Sequence, residues 1–315
     1  MRKLMLLAFF IVLFVIAGCN STGTITSLDQ DEEIVRIGYQ KNGPLLLLKS
    51  LGTLDERLEK QGFKVEWKEF QAGPLLVEAL NAEAIDFGRT GNTPVIFAQA
   101  ADTSFTYVAA GFSKYKGSGI LVPNDSDITK LEDLKGKRIG FSKGSSSHYL
   151  LIKALETAGL TLDDITSAYL TPGDARVAFE QGTIDAMVVW DPYVASTELE
   201  SNGRLLIDGE GLTTDRDFFV ATETFKEKYP EVIEIIIEEV AASSKWANEN
   251  PDELVDMLVP ILGIDEAAIR MMIERRTYGV EDLSEEIMEE QQEIADIFYQ
   301  LDIIPKSIKV RETME

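Results

Sequence analysis

One unit is written twice along this 315-residue chain, and that repetition limits the available folds more than any other feature. Ile37-Gly38-Tyr39-Gln40-Lys41, followed by the apolar run Leu45–Leu48, is echoed by Ile139-Gly140-Phe141-Ser142-Lys143 and then Tyr149–Ile152. Farther on, Gly73-Pro74-Leu75 opens a helical stretch leading to Ala84-Ile85-Asp86-Phe87. Its echo is Pro172-Gly173-Asp174, leading to Thr183-Ile184-Asp185-Ala186. Short apolar runs at 34–39, 63–69, 84–88, 105–111, 138–141, 166–170, 185–190 and 217–221 read as strands, and helical patterns lie near 45–60, 73–82, 146–158 and 173–181. This alternation predicts βα units and mostly parallel sheets. Each copy runs strand, helix, strand, helix, strand, so two copies imply two similar α/β lobes.

After about residue 222 the pattern turns helical. Asn250-Pro251-Asp252-Glu253 reads as a capped helix start with proline at the first helical position. The last helix places Ile287, Ile294, Phe298 and Leu301 on one stripe, and the acid run 281–293 is its solvated face. These helices complete the first lobe, so the chain crosses between lobes near 112–118 and again near 215–222, which makes a hinge. The expected lobes are 34–114 with 220–315, and 115–219.

The N-terminus gives an address. Arg2 and Lys3 precede an uncharged apolar run from Leu4 to Ala17, and its fourteen residues suit a signal peptide better than a bilayer span of roughly 20. It ends in Ile16-Ala17-Gly18-Cys19, which resembles a bacterial lipobox, and Cys19 is the only cysteine in the chain. Residues 1–18 are then removed, Cys19 carries lipid on the outer face of the cytoplasmic membrane, and residues through 33 are a flexible tether. Fifty-four acids against 30 Lys plus Arg give −24, a charge that repels nucleic acid.

In open parallel sheets, ligands bind beyond the carboxyl ends of the strands. That rule selects the loops Gln40–Gly43 and Thr90–Thr93 in the first lobe, and Gly144–His148 and Trp190-Asp191-Pro192 in the second. Ser145, Ser146 and Ser147 open a helix whose free N–H groups suit an anion without a lysine, and neutral donors also permit release. Trp190 is placed to form an apolar wall, with Tyr39, Tyr115, Phe218 and Phe219 as weaker candidates. His148, the single histidine, follows three serines, but adjacent helical residues point apart and no orienting acid is near. No Cys or His cluster has metal-ligand spacing, and no phosphate loop is present, so neither metal nor cofactor is expected and any ATPase is a separate subunit.

At these residues the chain resembles the periplasmic and lipoprotein binding components for aliphatic sulfonates, related to those for taurine and nitrate. The matching segments are 37–49, 70–101, 133–160, 169–193 and 294–308, and Gly144–His148 with Trp190-Asp191-Pro192 favour the sulfonate branch. The resemblance implies a type II periplasmic-binding fold, an α/β architecture of two lobes joined by a two-crossover hinge. It implies that Gln40, Thr90, Gly91, Ser145, Ser146, Ser147 and Trp190 surround a sulfonate and its tail; Asn92, His148, Asp191 and Phe218 are ligand-binding candidates from their own positions at the strand ends. A monomer is expected, closing on an alkanesulfonate and delivering it to an ABC permease. Taurine, nitrate, bicarbonate and a thiamine precursor stay open as cargo. Enzymes on the same fold recruit a cysteine or histidine; here Cys19 belongs to the lipobox, leaving His148. The chain departs from the family pattern at Asn92, where an acid is common, at Thr93-Pro94-Val95, where Pro-Pro is familiar, and at the large Arg89.

Overall fold

The computed structural model describes residues 33–314. The expected signal peptide, Cys19 and the tether before Glu33 lie outside the described residues.

Two sheets divide the strands. The first takes β1 (Glu33–Tyr39), β2 (Phe63–Glu69), β3 (Phe87–Gly91) and β4 (Phe105–Gly111). Helices α1 (Pro44–Leu51), α2 (Thr53–Glu59), α3 (Gly73–Asn81) and α4 (Asn92–Ala100) connect them. The second sheet takes β5 (Ser118–Pro123), β6 (Arg138–Phe141), β7 (Thr166–Tyr169), β8 (Ala186–Trp190) and β9 (Gly203–Asp208), with α5 (Ser146–Thr157), α6 (Pro172–Glu180) and α7 (Tyr193–Glu200). The chain then returns through β10 (Asp217–Thr222) to the first sheet. It ends in α8 (Glu223–Lys228), α9 (Pro230–Glu249), α10 (Pro251–Leu262), α11 (Glu266–Glu274), the short β11 (Val280–Glu281) and α12 (Glu285–Gln300).

The repeat is a repeat of structure. β1 pairs in parallel with β2 and β3, and β6 pairs in parallel with β7 and β8, so both copies have the spatial order second, first, third. The Ile-Asp echo has one physical job in each. Asp86 takes the Arg36 backbone N–H at 2.7 Å and returns its own N–H to the Arg36 carbonyl at 2.8 Å. Asp185 does the same to Arg138, at 2.7 and 2.8 Å. That clip occupies the residues before the third strand, which is why β3 starts at Phe87 and not at Ala84. The central glycines, Gly38 and Gly140, lie under Ile85 and Ile184, where a methyl would come within 2.6 and 2.7 Å of the isoleucine Cδ1.

The sheets are mixed and not mostly parallel as expected: the returning β10 pairs antiparallel with β3 and β4, and β5, β9 and β11, which escape the alternation, are antiparallel additions. The predicted helix over 45–60 is two helices, broken at Gly52, whose φ of 72° ends α1 in the left-handed region. Asn250 precedes α10 as expected, but its carboxamide donates back to the Trp246 carbonyl at 2.8 Å, satisfying the end of α9 instead of capping α10. Ile287, Ile294 and Phe298 are buried on α12, whereas Leu301 lies past the helix end and is 45% exposed.

Each sheet is covered on both faces by apolar clusters. The crossovers run over residues 112–117 and 209–216, the second lying earlier than the 215–222 expected and overlapping it only at 215–216, because Asp217 already pairs in β10. They are fastened together: Lys114 N–H donates to the Thr214 carbonyl at 3.1 Å, the Ser113 hydroxyl to the same oxygen at 2.7 Å, and Gly209 N–H to the Tyr115 carbonyl at 3.2 Å.

Candidate functional site

The carboxyl ends of β1 and β3 face those of β6 and β8 across a cleft. Where they meet, α4 begins directly after Gly91 and α5 directly after Ser145. Both helix starts carry N–H groups without intrahelical acceptors and the positive end of a helix dipole. They nearly touch: the Ser146 hydroxyl donates to Asn92 Oδ1 at 2.8 Å. Beneath them lies a cavity of about 20 Å³ lined by Gln40, Asn42, Gly73, Arg89, Gly91, Pro94, Lys114, Ser145, Ser146, Trp190, Asp215 and Asp217. That volume holds about one water, too little for a sulfonate group with its tail.

Of the residues singled out by sequence, Gln40, Gly91, Ser145, Ser146 and Trp190 line this cavity. Asn92 stands one bond away through Ser146, and Asp191 lines a smaller neighbouring pocket with Lys114 and Arg276. Four others do not reach the cavity. Thr90 is fully buried behind Gly73, where a Cβ would overlap its hydroxyl. Ser147 is 1% exposed and its hydroxyl has no partner among the described residues. Phe218 packs edge-on against Tyr107 in the first lobe's core, at a centroid distance of 5.1 Å. His148 is sandwiched between Phe141 at 5.0 Å and Phe298 at 5.3 Å, and its Nδ1 accepts the Gly144 N–H at 3.3 Å. Burial, with the nearby Lys143 charge, pushes its pKa down to about 4. No hydrogen bond joins Ser147 to His148, so the pair has none of the geometry of an activated nucleophile.

The cavity floor departs from the expectation of neutral donors. Arg89, 2% exposed, pairs with Asp217 and donates to Asn42 Oδ1 at 2.9 Å and the Asn42 carbonyl at 3.2 Å. Lys114 lies 2.7 Å from Asp215 Oδ2 and 3.4 Å from Asp217 Oδ1, while Arg276 approaches Asp217 at 3.4 Å. Burial alone would raise the Asp217 pKa, but Arg89, Lys114 and Arg276 outweigh it and hold the carboxylate ionised. Lys114 and Asp215 come from the two crossovers, so the hinge itself supplies the floor. Sequence reasoning passed over them because neither segment has periodicity; their one visible signal was position at the crossovers.

Further contacts join the lobes outside the cavity. Asn42 Nδ2 donates to the Asp191 carbonyl at 3.3 Å. Arg275, just after α11, reaches Glu198 Oε2 at 2.6 Å and Asp191 Oδ1 at 3.6 Å. Asp191 also accepts the Ala195 N–H at 2.9 Å in the first turn of α7. Burial raises its pKa to about 6, against the pull of Arg275.

Comparison with known proteins bears on what this cleft holds. Residues 58–254 match the family described as NMT1/THI5 like. A relative in Escherichia coli (strain K12), named as an aliphatic sulfonates-binding protein, is 36% identical over 305 residues, 96% of this chain and 95% of the relative. The solved structure of the alkanesulfonate-binding protein SsuA from Xanthomonas axonopodis pv. citri, bound to MOPS, superimposes with a TM-score of 0.87 at 36% identity, covering 90% of this chain and 98% of that one. The periplasmic aliphatic sulphonate binding protein SsuA from Escherichia coli superimposes with a TM-score of 0.82 at 37% identity, over 90% and 92%.

Proposed function

Since the chain belongs to the NMT1/THI5-like family and matches the sulfonate-binding SsuA proteins along nearly its whole length, we propose that it is the extracytoplasmic solute-binding component of an ABC importer for aliphatic sulfonates. The observation that carries the reading is the convergence of the α4 and α5 starts on one cleft, with Ser145, Ser146 and Gly91 lining it and Trp190 beside them. A sulfonate oxygen set takes N–H and hydroxyl donors from both lobes, and the helix dipoles favour its charge. The Arg89 and Lys114 charges on the floor are balanced by Asp217 and Asp215, so the preference for an anion rests on the two helix starts.

The two lobes, one built on each sheet, act as jaws, with β10 from Asp217 onward belonging to the first and not to the second as the expected 115–219 bound had it. Entry requires them to part at the two crossovers, breaking Ser146–Asn92, Asn42–Asp191 and the Arg275 contacts. The ligand then bridges both lobes and restores closure, since it binds the shut form better than the open one. The shut form is what a permease with its separate ATPase receives. Cys19 lipid tethers a monomer to the outer face of the cytoplasmic membrane. The chain performs no chemistry on its cargo: its near relatives are binding proteins, and His148 is packed between two aromatic rings.

The test is a thermal-shift screen of residues 20–315 with methanesulfonate, longer alkanesulfonates, taurine, sulfate, nitrate, bicarbonate and thiamine precursors. A ligand at a hundred times its dissociation constant adds about 2.7 kcal/mol. Sulfonates stabilise the wild type, and Ser146→Ala with Trp190→Ala removes the effect. Stabilisation by nitrate or a pyrimidine, with none by any sulfonate, overturns the ligand assignment.

A further inference from the structure

The apolar stripe of α12 carries one polar residue. Gln291 lies among Ile287, Ile294, Ala295 and Phe298 and is 1% exposed. A carboxamide in such surroundings is costly to bury unless it finds partners. Gln291 Nε2 donates to the Asn92 carbonyl at 2.6 Å and to the Tyr107 hydroxyl at 3.2 Å, both within the first lobe's interior. Asn92 stands 199 positions earlier in the chain and is the first residue of α4. Gln291 itself does not line the anion cavity.

The bond falls on a sensitive peptide. Pro94, the third helical position, has no N–H, so the helical positions at the start of α4 offer an anion two donors, the N–H groups of Asn92 and Thr93. The carbonyl that Gln291 holds and the Thr93 N–H belong to one trans peptide and point in opposite directions along the helix axis. A donor on the oxygen therefore does two things at the nitrogen. It fixes the direction of the N–H, and it polarises the peptide so that the N–H donates more strongly. The Asn92 side chain accepts the Ser146 hydroxyl, so this residue is held by α12 behind and by the other lobe in front.

We propose that Gln291 is a positioning residue for the anion site. Without touching the ligand, it sets the direction and donor strength of the first peptide of α4, and through them the affinity for a sulfonate. This inference rests on the sulfonate reading of the cleft and extends the site to a residue outside its walls.

Titration calorimetry of residues 20–315 with methanesulfonate, in Tris because sulfonate buffers compete, tests it. Gln291→Leu removes the donor at similar size and weakens binding about fivefold, the worth of about one hydrogen bond. Tyr107→Phe takes away the other partner of the same carboxamide; it lowers the melting temperature and leaves affinity within about twofold of wild type. Gln291→Glu adds a pH signature. A protonated carboxyl donates to the Asn92 carbonyl as the amide does, whereas an ionised one cannot and sets a negative charge behind the peptide. Tyr107, the titratable group it meets, is held protonated by burial. At pH 5 the glutamate variant binds nearly as tightly as wild type, and relative to wild type it weakens as pH rises toward 8, while the leucine variant keeps a constant ratio. A leucine variant within about twofold of wild type, or a glutamate variant no tighter than the leucine at pH 5, overturns the inference and leaves the sulfonate site standing. If the leucine variant does not fold, comparison of the glutamate variant with wild type at pH 5 decides, and a fivefold deficit there overturns it. Failure of the wild type to bind any alkanesulfonate removes the sulfonate reading, and this inference with it.

Discussion

Gly91 and Ser146 meet across the cleft so closely that a methyl group on Gly91 would overlap the Ser146 hydroxyl. The Gly91 backbone, at φ −74° and ψ 175°, accepts any residue, so the glycine is required by the neighbouring lobe and not by its own conformation. Gly91→Ala therefore wedges the lobes apart without straining either one. Its melting temperature stays within a few degrees of wild type, affinity for sulfonates drops at least about tenfold, and small-angle scattering shows a larger radius at saturating ligand. Wild-type affinity in this variant would show that the Ser146 hydroxyl, whose Cβ stands 3.5 Å from the added methyl, swings aside and lets the cleft close.

His148 is the only histidine, so its titration can be read directly by NMR. Its pKa is about 4, below the ordinary 6.5, because burial disfavours the charged ring. A base with a depressed folded-state pKa contributes stability above its unfolded pKa and loses it as pH falls from about 6.5 through about 4. His148→Phe removes that acid-sensitive contribution while sulfonate binding persists. A ring titrating near 6.5 would place it in solvent.

Asp191 has the opposite sign. Its pKa is raised to about 6 by burial, so its favourable contribution is complete below the unfolded value of 3.8 and is lost as pH rises through about 6. Asp191→Asn keeps an acceptor for the Ala195 N–H without the buried charge. Relative to wild type the variant gains stability between pH 4 and pH 7, by about 1–3 kcal/mol at the upper end. The difference between the two urea midpoints across that range is the measurement; a flat difference would show Asp191 to be solvated.

Removing Arg89 leaves Asp217 buried with Lys114 and Arg276 as its remaining cations. Arg89→Met costs about 2–4 kcal/mol in urea unfolding, somewhat less than a wholly unpaired buried carboxylate. Adding Asp217→Asn recovers part of the loss, the signature of a coupled pair. Strict additivity would mean the pair contributes nothing.

The repeat was legible in sequence because its causes are local. The Ile-Asp clip and the glycine under an isoleucine each act within one βαβ step, so the same letters recur at the same places. The strand-end rule likewise selected Ser145, Ser146, Gly91 and Trp190, which line one cavity. What failed was orientation. Phe218 and Asp217 are neighbours on β10, yet alternation sends the phenylalanine into the core and the aspartate to the cleft floor. His148 turns away from Ser146 around α5 onto Phe141 and Phe298. Lys114 and Asp215 are about a hundred residues apart, and only the folded hinge brings them together.

The matching of the two lobes also shows that the two ends of the cleft are unlike. The start of α5, after the first strand of its copy, corresponds to the start of α1; the start of α4, after the third strand, corresponds to that of α7. By that correspondence the α4/α5 end of the cleft matches the α7/α1 end, and both present helix starts. The protein has closed one of them with its own groups. Asp191 is a built-in anion at the first turn of α7, and the Arg89 guanidinium covers the start of α1, its Cζ 2.8 Å from where a methyl on Gly43 would stand. Of two sister ends built from the same elements, one is thus occupied by a tethered carboxylate and the other is left to the cleft.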